Sequence, residues 1–230
     1  MSRDETSLPL ARRRRSGWRK YWSVLLSVFV AQWGAGQVAT PEAGAPLRVG
    51  VNYARAGQPW FPIDNESYVR ETRAVKLQLA WTLRSRRRLD LELLLEPGAY
   101  RVTHRMLHYG FIQEKDWPDF EARRERFLRE RRLVEVVLNV GVVARVRVAG
   151  GLSAYGLASV GPMVATRATE RLPRGFAFSD VVGLGLGYRR GRGYVDVRAS
   201  LRHSSNAGLR FPNHGHNAAG WEVGVGWRLR

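Results

Sequence analysis

Residues 75–84 read VKLQLAWTLR: Val75, Leu77, Leu79, Trp81 and Leu83 take alternate positions, with Lys76, Gln78, Ala80, Thr82 and Arg84 between them. Successive side chains of a strand point to opposite faces, so this is a strand with one apolar side and one side carrying charge. The same period recurs along the chain. Val49, Val51 and Tyr53 alternate with Arg48, Gly50 and Asn52, and Leu89, Leu91 and Leu93 with Asp90 and Glu92. Val134, Val136, Leu138, Val140 and Val142 oppose Glu135, Asn139 and Gly141. A Gly- and Ala-rich segment near 152–165 gives no clear faces. Val182, Leu184, Leu186 and Tyr188 alternate with Gly183, Gly185 and Gly187. Val195, Val197, Ala199 and Leu201 alternate with Asp196, Arg198, Ser200 and Arg202, and Trp221, Val223, Val225, Trp227 and Leu229 with Glu222, Gly224, Gly226 and Arg228.

The polar faces hold too many charges for the interior of a soluble sandwich; they need water or each other. The pattern predicts an all-β fold, an eight-stranded antiparallel transmembrane β-barrel. Its apolar wall faces lipid, its small interior is polar, and closure leaves no unpaired edge. Uncharged outward faces agree, because one Lys or Arg at the bilayer midplane costs about 2–4 kcal/mol. A soluble lipid-carrying barrel is the alternative, with the apolar faces turned inward.

The 230 residues contain 38 Lys and Arg against 20 Asp and Glu, a net charge of +18, and no Cys, which excludes disulfide frameworks and thiolate zinc sites. At the N-terminus Arg12 to Arg15, Arg19 and Lys20 precede the apolar run Tyr21 to Trp33 and the small residues Gly34, Ala35 and Gly36. That run is shorter than the roughly 18 residues of a spanning helix. Residues 1–36 therefore read as a signal peptide, with cleavage near Gly36 or after Ala39, and 37–230 as the barrel domain. A retained basic anchor is the alternative. Export argues against a nucleic-acid partner for the positive charge and favours anionic lipid.

Connections near 85–88, 147–151 and 190–193 are short and fall on the periplasmic side, whereas those near 56–72, 103–132, 166–177 and 208–218 are long and fall outside. The second long one, 103–132, is a helical or irregular insertion. Asp116 could cap a helix with Pro118 in its first turn and Phe120, Phe127 and Leu128 on an apolar stripe. Its default is a solvated charged helix; the sharper expectation is that Arg123, Arg124 and Arg126 bind lipopolysaccharide phosphates.

The seventh strand ends with His203 and Ser205, two residues apart on the apolar side. A base and a nucleophile would thus project toward lipid, at the level of outer-leaflet head groups and ester linkages. The bland reading is an interfacial strand end followed by a tight turn at Pro212 to Gly215. His203, His214 and His216 also raise a metal, a weak signal without an acidic ligand nearby. The closing run Glu222 to Leu229, EVGVGWRL, resembles the assembly signal of outer-membrane barrels, although Arg230 departs from the usual terminal aromatic.

The run HSSNAGLRFPNHGHN (203–217), with FSDVVGLGLGY (178–188), resembles the lipid A 3-O-deacylase (PagL) family of outer-membrane enzymes, whose motif is His-x-Ser-Asn, a small-residue stretch and Asn-x-Gly. The resemblance covers about Phe178 to Arg230. It implies His203 as base and Ser205 as nucleophile, an oxyanion site from the Asn213 side chain and the Gly208 N–H, Asn206 in support, and Phe178 along the acyl chain. The family's third triad member is a Glu two residues beyond the Gly; here that position is Asn217, which accepts a hydrogen bond but brings no charge. Glu222 is a substitute whose parity assigns it to the lumen.

The resemblance implies a serine esterase that removes the 3-hydroxyacyl chain at position 3 of lipid A, with no metal or organic cofactor. Lipopolysaccharide is then its substrate and the outer membrane its location. An inactive structural barrel and an outer-membrane phospholipase are the competing readings. The sequence leaves a homodimer open.

Overall fold

A computed structural model describes residues 47–62 and 67–229; the expected signal segment lies outside the described residues. Eight strands form a closed antiparallel barrel in chain order: β1 (Leu47–Gly57), β2 (Tyr68–Arg86), β3 (Leu89–Met106), β4 (Arg131–Ala149), β5 (Leu152–Ala165), β6 (Gly175–Arg190), β7 (Gly193–Ser205) and β8 (His216–Arg228). Each strand pairs with the next and β8 closes onto β1, so the wall has no free edge.

Arg87–Arg88, Gly150–Gly151 and Gly191–Arg192 join strands at one end, the short-turn periplasmic end. Tight two-residue hairpins need positive φ, and Gly150, Gly151 and Gly191 supply it at 55°, 89° and 60°. The long connections gather at the other end. They are shorter than the sequence suggests, because strand hydrogen bonding continues past the last apolar residue. The insertion expected at 103–132 is 107–130, since β3 runs to Met106 and β4 starts at Arg131. Helix α1 spans Phe120–Leu128 and begins after Pro118, so Asp116 does not cap it. Asp116 closes a short 3-10 turn instead, and Asp119 at the helix start takes a hydrogen bond from Arg123 Nε at 2.7 Å.

The two faces separate as the alternation requires. Val75, Leu77, Val136, Leu184, Val197 and Val225 are exposed on the outer wall. The segment 152–165 gains definite faces: Ser153, Tyr155, Leu157, Ser159 and Met163 point inward. Inside, charges neutralise one another. Arg198 meets Glu96 at 2.7 Å and Glu222 at 2.6 Å; Lys76 also pairs with Glu222; Glu135 lies between Arg70 and Arg202. Losing one member of such a buried pair costs about 3–5 kcal/mol, because its partner is left charged and dry. Two apolar layers pack the middle of the lumen, one around Tyr100, Val137 and Met163 and another around Leu94, Val143 and Leu157.

Candidate active site

Odd positions of β7 face outward, so Leu201, His203 and Ser205 form a column on the wall that ends at the strand's outer end. Register fixes their neighbours. His203 lies between Asp180 of β6 and Asn217 of β8, and Ser205 lies opposite Phe178 of β6. Directly opposed residues have Cβ atoms about 4.5–5.5 Å apart, so these five side chains share one outward patch. His203, Ser205, Asn217, Asp180 and Phe178 are all half-buried.

His203 Nδ1 and Asn217 Oδ1 are 2.7 Å apart. An amide oxygen only accepts, so Nδ1 is the donor in this contact. Glu222 faces the lumen, bound to Lys76 and Arg198, and takes no part in this patch. Gly215 has φ of +70°, and a Cβ there would come within 2.8 Å of His203 Cε1 and 3.3 Å of Nε2. The imidazole therefore lies over a bare backbone position.

The connection 206–215 is braced from within. Asn206 is buried; its Nδ2 donates to the carbonyls of Arg210 at 2.8 Å and Pro212 at 3.3 Å, and its backbone N–H donates to Asn213 Oδ1 at 2.9 Å. With Oδ1 so engaged, the Asn213 amide is oriented and Nδ2 is its donor end. The Gly208 N–H donates to Asn206 Oδ1 at 3.0 Å. The expected second oxyanion donor is thus committed to the loop's own turn. Phe178 packs edge-to-face on Phe176 at 5.0 Å, extending an apolar surface beside Ser205.

Three further residues border the patch, and two of them hold it. Tyr68 Oη accepts the Asn217 N–H at 3.0 Å and lies 3.4 Å from the Asn217 carbonyl. Arg171, on the β5–β6 connection, donates to the Gly215 carbonyl at 2.6 Å and the His214 carbonyl at 3.3 Å. Asp180 is the third. Its position could have been read, because it shares parity with Val182 and Leu184 on the outward side of β6; only the β6–β7 register was missing. Nothing in a coil segment marks Arg171.

The insertion packs against this loop: Trp117 lies 5.2 Å from Phe211 and Phe111 5.0 Å from His214. Phe127 is buried with Met106 and Ile112 beneath it. Arg123 lies 3.7 Å over Trp117, and Arg124 lies over Tyr109 and donates to the Ile112 carbonyl at 2.8 Å. Both arginines have partners within their own segment. Partial desolvation against Phe111 and Phe211, then the Arg171 charge, holds the His214 imidazole below its ordinary range. His216 turns inward to Thr169 Oγ1 at 2.9 Å, away from His203. Among the described residues no group of three or more His, Asp or Glu side chains is placed to hold a metal.

A sequence model of the family described as lipid A 3-O-deacylase (PagL) matches residues 98–226, further upstream than the motif itself. The crystal structure of the outer membrane enzyme PagL is similar, with a TM-score of 0.50 and 18% identity over 77% of this chain and 97% of that one. The attachment invasion locus protein Ail of Yersinia pestis gives 0.40 and 14% over 80% and 99%. Neisserial surface protein A gives 0.41 and 12% over 81% and 97%. No curated protein matches the chain in sequence. With an eight-stranded barrel, an apolar outer wall and a family match across more than half its length, the chain belongs to the lipid A 3-O-deacylase (PagL) family of the outer membrane.

Proposed function

We propose that the protein is a serine esterase that hydrolyses the ester-linked 3-hydroxyacyl chain at position 3 of lipid A from within the outer leaflet. The observation that carries this reading is the 2.7 Å contact of His203 Nδ1 with Asn217 Oδ1, on the same outward patch as Ser205 at the outer end of β7. It supports an imidazole held in the tautomer whose Nε2 can take a proton from Ser205. The position-3 preference comes from the family alone.

Ser205 Oγ attacks the ester carbonyl while Nε2 of His203 takes its proton. The tetrahedral oxyanion is met by Asn213 Nδ2, and by the Gly208 N–H once it leaves Asn206 Oδ1. Collapse breaks the ester C–O bond, and Nε2 returns the proton to the departing sugar oxygen. Water, deprotonated by His203, then cleaves the acyl-enzyme and releases the 3-hydroxy fatty acid. Phe178 and Phe176 give the acyl chain an apolar bed.

Asn217 orients the imidazole but cannot balance the imidazolium charge. Asp180, on the other side of His203, is the carboxylate that supplies that charge in this scheme. If it failed to do so, the protein would be a structural barrel with a silent site, a reading favoured by the neutral residue at 217.

Incubation with purified lipopolysaccharide and mass spectrometry of the lipid A decides between them. Loss of one hydroxyacyl group with the wild type, and none with Ser205→Ala or His203→Ala, is the expected result. An unchanged lipid A mass with folded wild type sinks the esterase. Release of fatty acid from phospholipid vesicles instead identifies a phospholipase.

A further inference from the structure

The outer wall carries a second polar feature, on the strands beyond β8. Arg55 of β1 lies directly opposite Arg73 of β2, and Arg73 directly opposite Arg101 of β3. All three are exposed and point outward. We propose that this row is a binding site for the phosphate groups of the outer-leaflet glycolipid, separate from the ester-cleaving patch.

Like charges directly opposite across strands destabilise a sheet, so a row of three guanidinia calls for an anion. Among the described residues no such anion is paired with the row: no ion pair involves Arg55, Arg73 or Arg101, and Arg55 meets only the Trp60 ring at 5.7 Å. Glu71 shares the outward face of β2, yet it is paired with none of them. The lumenal carboxylates Glu96, Glu135 and Glu222 are taken by Lys76, Arg70, Arg198 and Arg202 on the other side of the wall.

Position identifies the anion. Toward the membrane centre the next outward residues on these strands are Tyr53, Val75 and Ala99, all uncharged; toward the outside they are Gly57, Glu71 and Thr103. The row therefore marks the upper limit of the apolar wall. Arg55 is two residues short of the outer end of β1, just as His203 is of β7. At that level of the outer leaflet the abundant anions are glycolipid phosphates. A guanidinium grips a phosphate through two parallel N–H···O bonds, strongly where water is scarce. Neighbouring strands are about 4.8 Å apart, so the row spans roughly 10 Å, enough for one or two phosphates. Trp221, opposite Arg55 and 6.0 Å from Tyr53, stands between this row and the patch around His203.

The inference rests on the outer-membrane location and not on hydrolysis, so its test uses the Ser205→Ala protein. Binding of bisphosphorylated lipid A in mixed micelles is measured by titration calorimetry for Ser205→Ala alone and with Arg55→Gln, Arg73→Gln and Arg101→Gln added together. The expected loss is about fivefold for Arg73→Gln alone and on the order of a hundredfold for all three, with an intermediate loss when all three are Lys, which keeps the charge but not the paired N–H···O geometry. Lipid A stripped of phosphate is expected to bind the unsubstituted row as weakly as the triple Gln variant binds the intact lipid. Equal affinity of the folded triple variant, or of the folded Arg73→Gln protein should the triple misfold, overturns the proposal. A matching loss with phosphatidylglycerol micelles overturns the assignment to glycolipid.

Discussion

Arg171 and Gly215 are joined by a 2.6 Å hydrogen bond from the guanidinium Nε to the glycine carbonyl, across two different outer connections of the barrel. The segment so held carries Asn213 before it and Asn217 after it, and His203 lies over its centre. A residue that touches no substrate thereby sets the spacing of those that would.

Replacing Arg171 by Met is expected to lower kcat on lipid A by on the order of a hundredfold, the usual effect of an ångström of misplacement, with little change in KM. Tyr68→Phe removes the hydroxyl that takes the Asn217 N–H and costs about 1 kcal/mol, or roughly fivefold in rate. Steady-state kinetics in mixed micelles, checked against heat-modifiable migration for intact barrels, measure both. Unaltered kcat in Arg171→Met would remove the residue from the positioning scheme.

The carboxylate beside His203 is tested by a double-mutant cycle. Asp180→Asn is expected to reduce kcat at least tenfold, about 1.4 kcal/mol, when residue 217 is Asn. In an Asn217→Glu background the same change should cost much less, because the family's carboxylate then carries the charge. Equal costs in the two backgrounds mean that Asp180 and residue 217 do not share a role.

Gly215→Ala combines a left-handed φ of +70° with a Cβ 2.8 Å from the imidazole. The backbone penalty is about 1–2 kcal/mol, and the displaced ring loses its bond to Asn217. Activity is expected to fall more than a hundredfold while the barrel melts within a few degrees of wild type, as circular dichroism would read.

His214 has its proton affinity lowered by burial and by Arg171, so the folded loop prefers the neutral ring. Above about pH 6.5 the ring is neutral folded or unfolded and contributes nothing; below it, proton uptake favours the unfolded loop and stability falls. Protease cleavage within 206–215 should accelerate as pH drops below about 6.5, and His214→Phe should flatten that dependence. Cleavage rates that track pH identically in both proteins exclude His214 as the cause.

Much of this barrel could be read from period two, because a lipid-facing wall tolerates no outward charge in its middle and leaves a clean signal at Val75 to Leu83 and Trp221 to Leu229. The segment 152–165 defeated that reading, since Gly and Ala occupy both faces and side-chain polarity no longer distinguishes them. Strand ends escape the pattern for a related reason: β3 carries on through Arg101, Thr103 and Arg105, where the wall has left hydrocarbon and polarity is free. His203, Ser205 and Asn217 were visible through their motif and parity. Asp180 needed the pairing register, and Arg171 and Tyr68 needed the three-dimensional meeting of connections far apart in sequence.

Salt bridges and packed apolar layers occupy the interior between Arg198 and Tyr100, so nothing reaches the outward patch around His203 through the barrel axis. For the proposed esterase, encounter would be a sideways search in two dimensions, governed by how many glycolipids crowd each unit of leaflet area and how fast they exchange neighbours. Turnover would follow acyl-chain fluidity and divalent cross-linking of that leaflet more closely than any bulk concentration, and the freed fatty acid would leave along the plane in which its parent arrived.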